Sequence, residues 1–279
     1  MSYAAKVIKD SISLAGVRLV TMEATYPRFV HAELLTHRLF SRNAASSRAI
    51  PIKKMIKRVQ DEPVEPVFWG KNQKGMQAQE RLSFEETIEA RKVWLLAADQ
   101  ATATADHLAY LDVHKQLVNR IIEPWSWITV IISATEWGNF FSQRCHPDAQ
   151  PEIRHIAEMM QSAMAKHVAH PLGPSAWHVP YLDIDDQVNI ADRPETDIFQ
   201  KVSTARCARV SYLTHDGKID VDKDLELYDR LATANPPHAS PFEHVATPLE
   251  DPDVWCGNFR GFCQWRHQAI HGQHMKAVM

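Results

Sequence analysis

The chain has 279 residues, 45% of them hydrophobic and 23% charged, which is the make-up of an ordinary globular protein long enough for one large core. Lys and Arg number 31 against 34 Asp and Glu, a formal net charge of -3 that gives no global drive toward nucleic acid, so any basic site must be local.

In chain order, Ala5–Ile12 and Val17–Ala24 alternate apolar and polar residues around Ala15-Gly16, which predicts a hairpin closed by Pro27. The apolar spacing of 29–40 predicts a helix, with Pro51 as the next boundary. Residues 61–80, with Pro63, Pro66, Gly70 and Gly75, read as a long loop suited to act as a lid. Ser83 and Glu86 form a capping-box pair ahead of a helix to about Tyr110, and a second helix follows over His114–Ile122. After Pro124 an aromatic-rich helix is expected over Trp125–Cys145, then another from Pro151 to about Val168. The Pro- and Asp-rich stretch at about 171–200 reads as an irregular connection between an N-terminal helical lobe and a C-terminal lobe of one domain, 1–279. Short strands are expected at Ala205–Tyr212 and Glu243–Thr247, with a helix from Asp222 to Ala234 between them.

The four cysteines, Cys145, Cys207, Cys256 and Cys263, form no CxxC pair, so a thioredoxin-like motif and a standard zinc knuckle are excluded and a reducing, cytoplasmic setting fits best. The opening residues carry no signal-peptide run. The longest apolar stretch, Trp127–Ala134, is interrupted by Thr129 and Ser133 and is too short for a bilayer, so no membrane is expected. His267, His271 and His274 are spaced near one helix turn apart, but no carboxylate or cysteine completes a ligand set, and no metal is expected.

The segment Thr36-His37-Arg38-Leu39-Phe40-Ser41-Arg42-Asn43-Ala44-Ala45-Ser46-Ser47-Arg48 gathers cations and hydroxyls with no carboxylate among them, a composition suited to holding phosphate oxygens. It resembles the RHRxxSxNxxSxR signature of the flavin-dependent thymidylate synthases (ThyX), with only the first Arg replaced, by Thr36. Two further ThyX-like motifs, Ala208-Arg-Val-Ser-Tyr212 and His238-Ala-Ser-Pro-Phe-Glu-His244, stand near the C-terminus rather than before the signature, so the chain is similar to a circular permutation of the family order. Leu117–Pro124 and Trp137–Arg144 are similar to the family's C-terminal helices, and Gln264-Trp-Arg-His267 resembles the segment that usually leads into the signature.

The resemblance implies an α+β fold, with a mixed sheet packed against long helices, and a homotetramer whose sites are shared between chains. It implies FAD as cofactor, NADPH and methylenetetrahydrofolate as co-substrates, and transfer of a one-carbon unit to C5 of dUMP, with the flavin supplying reducing equivalents. His37, Arg38, Asn43, Asn139, Ser240 and Glu243 then correspond to cofactor contacts, with His238 beside the flavin as a catalytic candidate. Ser46, Arg48, Arg120, Arg144, Gln264 and Arg266 correspond to nucleotide contacts, since Arg forks suit phosphate and pyrimidine carbonyls. Ser46 and Arg144 complete the catalytic candidates, Ser46 as a ligand contact because no His-Asp relay of readable spacing activates it. Thr36, Ala44 and Glu33 depart from the family pattern on the substrate side. They leave room for hydroxymethylation, for another pyrimidine deoxynucleotide, or for a flavin- or nucleotide-binding protein without catalysis.

Overall fold

The computed structural model describes residues 2–212 and 220–271. Its first elements are β1 (Ala4–Ser13) and β2 (Arg18–Pro27), the expected hairpin, turning at Gly16 with φ +83°, a left-handed conformation that glycine adopts without strain. A short helix α1 (His31–Leu35) follows, and then β3 (Ser41–Ala44). The predicted helix over 29–40 therefore stops at Leu35, and the signature continues as a strand.

Helices α2 (Ile52–Asp61), α3 (Phe84–Tyr110) and α4 (Lys115–Ile121) pack around Met55, Val59, Ala101, Ala105 and Val118. Ser83 caps α3 in a reciprocal box with Glu86, as its spacing predicts. Residues 62–83 have no helix and run against α3 and α6, through Trp94 Nε1 donating to the Val64 carbonyl and Val67 N–H donating to Glu152.

The long helix expected over Trp125–Cys145 is instead β4 (Trp127–Ala134) followed by α5 (Gly138–Arg144). Every residue of β4 from Val130 onward is buried, so the strand is covered on both faces and carries no alternation to betray it. Next come α6 (Pro151–Lys166), as predicted, and β5 (His170–Leu172), α7 (Ile184–Ile190), α8 (Ile198–Tyr212) and α9 (Val221–Thr233). The connection expected at 171–200 is irregular over 173–183 and 191–197, as expected, but it also holds α7 and the start of α8, and His178 within it is fully buried. The strand expected at Ala205–Tyr212 is the end of α8, a helix buried nearly all round and so without an amphipathic period. A 3-10 turn at Ser240–His244 precedes β6 (Ala246–Pro248), and β7 (Trp255–Cys256), β8 (Phe259–Arg260) and β9 (Phe262–Gln264) follow among the described residues.

The main sheet has the order β3-β4-β2-β1-β5, antiparallel except for the β1–β5 pair, so the fold is α+β with a mixed sheet. Its two faces differ in chemistry. Val20, Met22, Ala24 and Tyr26 of β2 join Val130, Ile132 and Ala134 of β4 in an apolar core against Ile153, Ile156 and Met160 of α6. The alternate residues, Thr21 on β2, Ser133 on β4, and Ser41 and Asn43 on β3, are polar, fully or nearly buried, and covered by α8, the 240–244 turn and β9. Buried hydroxyls and amides must find partners, and that demand makes this second face the polar one on which the motifs gather.

Candidate functional site

The signature is a strand with a turn at each end; Arg144 meets the first end directly, and Arg120 is linked to the other through Glu123. At the first, Arg144 at the C-terminus of α5 donates Nε–H to His37 Nε2 at 2.9 Å and Nη2 to the Thr36 hydroxyl at 3.0 Å and the Glu33 carbonyl at 3.2 Å. His37 packs edge-on against Phe140, and burial together with Arg144 and Arg42 lowers its pKa to about 4. His37 is therefore neutral at pH 7, with its proton on Nδ1. At the other end, Arg120 donates to both carboxylate oxygens of Glu123, at 3.0 and 3.2 Å. Glu123 also accepts from Ser47 at 2.6 Å and pairs with Arg28 at 3.0 Å. Glu123 was not singled out in the sequence; it is the carboxylate that organises this end.

Between these ends, the C-terminal motifs fold onto β3. Gln264, buried on β9, donates Nε2–H both to Ser41 Oγ at 2.8 Å and to the Glu243 carbonyl at 3.1 Å. One amide thus ties the signature strand to the Ser240–His244 turn. The Glu243 carboxylate pairs with Arg266 and lies within electrostatic reach of Arg42. Gly257 has φ +64°, and a Cβ there would overlap the Gln264 side-chain amide, so glycine is required for that amide to reach β3.

The remaining predicted residues are placed as follows. Arg38 and Arg48 are exposed at the two ends of the signature, and Ser46 is half-buried. Asn43 is buried and donates to the Cys207 carbonyl of α8 at 2.7 Å, a tie between strand and helix. Asn139 is exposed on α5, its Oδ1 accepting from Gln143. His238 is exposed, with its backbone N–H bonded to the Leu231 carbonyl, and Ser240 is half-buried at the start of the 3-10 turn. The structure thus brings Arg144 to His37, and Gln264, Glu243 and Arg266 to Ser41 and Arg42, while Arg120 is engaged by Glu123. The side chain of His271 and all of His274 lie outside the described residues; among those described, no three His, Cys, Asp or Glu side chains could hold a metal. Nor is any described helix long and apolar enough to cross a membrane.

Sequence reasoning also missed a buried chain of hydroxyls and imidazoles on the polar face. Ser11 Oγ meets His178 Nδ1 at 2.9 Å, His178 Nε2 meets Thr21 Oγ1 at 2.8 Å, Thr21 meets Ser133 Oγ at 2.5 Å, and Ser133 meets His244 Nδ1 at 2.8 Å. The available signal was Ser133 interrupting an apolar strand.

A family model described as thymidylate synthase complementing protein (Thy1) matches residues 17–170, more than half of the chain. The chain belongs to this family. The matched span holds the signature, Arg120 and Arg144, while the 208–212 and 238–244 motifs of this Thy1 chain lie beyond it. No curated protein matches the sequence. Solved structures similar to it include a UMP/dUMP methylase PolB from Streptomyces cacaoi bound with 5-Br UMP, at 15% identity and TM-score 0.48, covering 60% of this chain and 90% of that one. Thymidylate Synthase X (ThyX) from Helicobacter pylori with FAD and dUMP is another, at 15% identity and TM-score 0.37, covering 52% and 67%. Family membership rests on the Thy1 match alone.

Proposed function

We propose that this Thy1 protein transfers a one-carbon unit to C5 of a pyrimidine deoxynucleotide, with dUMP as the lead substrate, FAD as cofactor, and methylenetetrahydrofolate and NADPH as co-substrates. The observation that carries the reading is the Gln264 amide bonded at once to Ser41 and Glu243. It unites the signature strand with two motif-bearing segments near the C-terminus.

The residues present suit a phosphorylated cofactor and an anionic nucleotide. Arg38 and Arg48 are exposed cations in a stretch, 36–48, that contains no carboxylate, and Arg266 Nε is buried with no hydrogen-bond partner among the described residues. His37, Arg38 and the 240–243 turn, with His238 and Asn139, would hold the flavin, and Ser46, Arg48 and Arg144 the nucleotide. When bound and reduced, a flavin supplies hydride, the hard chemical step. The chain's own contribution is orientation and fixed charge. Arg144 is aimed by three acceptors, one of them a neutral His37, so its position is set before a ligand arrives. The Arg266–Glu243 pair and the Gln264 amide fix the turn against β3.

A second reading, a diverged pyrimidine nucleotide substrate or a hydroxymethyl product, is favoured by one observation: Arg120, which would grip the nucleotide, is already paired with Glu123. Mass spectrometry of dUMP after anaerobic incubation with the protein, FAD, NADPH and methylenetetrahydrofolate tests the two. Gain of a methyl group supports the first reading, and gain of a hydroxymethyl group supports the second. An unchanged nucleotide with flavin bound would overturn dUMP as the substrate and leave the diverged nucleotide of the second reading.

A further inference from the structure

The chain Ser11–His178–Thr21–Ser133–His244 crosses the polar face of the sheet with all five residues buried. One end, Ser11, lies in the wall of a cavity of about 1170 Å³ bounded by Lys9, His170, Trp177 and Asp183. The other, His244, closes the Ser240–His244 turn that carries Glu243, and its Nε2 has no hydrogen-bond partner among the described residues. The two imidazoles are held in register by backbone, since His178 exchanges N–H···O bonds of 2.8 and 3.3 Å with Ala246, two residues beyond His244.

Proton counting restricts this chain. Each hydroxyl and each neutral imidazole has one proton to give, and burial disfavours either imidazolium. If both histidines carried their protons away from the central pair, the two oxygens 2.5 Å apart would share none. If both donated inward, one buried hydroxyl proton would be left with no acceptor. Two states keep every bond of the chain made: both histidines protonated on Nδ1, or both on Nε2, the second at the cost of a His244 Nε2–H with no partner among the described residues, so the first is the resting form.

We propose that this chain is a proton path joining the motif turn to the cavity. In the first state, His244 Nε2 is a bare acceptor. When it takes a proton, its Nδ1 proton passes to Ser133, that of Ser133 to Thr21, that of Thr21 to His178 Nε2, and that of His178 Nδ1 to Ser11, whose own proton leaves to water in the cavity. One proton enters, one leaves, and no buried charge remains. A proton supplied inward runs the sequence backwards and restores the first state. The use of the path rests on the reaction proposed above, where bond formation at C5 of a uracil ring breaks the C5–H bond, leaves its electron pair in the ring, and releases the proton.

The test needs no substrate to begin. Nitrogen-15 NMR of the intact protein should show His178 and His244 as the same neutral tautomer, and opposite tautomers would overturn the path. Solvent exchange of the His244 ring N–H should slow at least about tenfold in Thr21→Val and recover in Thr21→Ser. Mere loosening of the fold would speed that exchange, so an unchanged or faster rate in Thr21→Val overturns conduction. If wild type methylates dUMP, Thr21→Val with flavin and nucleotide bound should turn over more slowly. A wild-type rate there would remove the catalytic use, whereas failure of wild type itself would remove the reaction and leave the tautomer and exchange results standing.

Discussion

Arg144 Nε donates to His37 Nε2 at 2.9 Å, joining the end of α5 to the start of the signature across 107 residues. An arginine cannot give up its proton, so this bond forces the neutral Nδ1–H form on His37.

Replacing Arg144 with Gln removes the charge and the fork. The His37 pKa is expected to rise from about 4 but to stay below its ordinary 6.5, because burial is the larger cause. Histidine NMR titration reads the shift. Nucleotide affinity by calorimetry should fall roughly tenfold, as expected for loss of a charged bond. A pKa that does not move would show that the arginine does not set the state of His37.

Gln264→Ala leaves the Glu243 carbonyl without its amide and Ser41 Oγ with only the 3.4 Å contact from Asn258. Urea denaturation should show a loss of about 1–3 kcal/mol, the usual cost of a buried polar group that loses its partner. Flavin retention on gel filtration should fall with it, since the 240–244 turn is no longer tied to β3.

Glu123→Gln tests the competing contact at the far end of the signature. It frees the half-exposed Arg120 and leaves Arg28, largely buried, without its carboxylate. dUMP is expected to bind about threefold to tenfold more tightly, in line with the small worth of an exposed pair. Weaker binding would mean that Glu123 holds Arg120 in its working position.

Acid stability follows from the buried histidines. His31 and His37 are lowered to about 4, His244 to about 3, and His178 well below its ordinary value, all chiefly by burial. Their unfolded forms bind protons near 6.5, so the stability they contribute is complete above that pH and is lost as pH falls toward the folded values. Each such group adds up to about 1.4 kcal/mol per pH unit to the slope. His31→Gln should make the fall of the urea midpoint between pH 7 and pH 5 shallower, and an identical slope would exclude His31 from it.

The sequence by itself determined the elements whose signals are local. The hairpin at Gly16, the Ser83 capping box, the helices over 84–110, 115–121, 151–166 and 221–233, and the signature were all legible, because one-sided burial writes a period and caps are set by neighbours. Tertiary structure decided the rest. β4 from Val130 onward is covered on both faces and α8 is buried nearly all round, so neither period survives in their residues, and the sequence pattern predicts a helix for the first and a strand for the second. Gln264 reaches Ser41 across 223 residues, Arg120 is claimed by Glu123, and five scattered polar residues line up across a sheet face. Those partnerships arise from the desolvation cost of buried polar groups, which is settled only once the chain has folded and each group takes whichever partner the packing brings within reach.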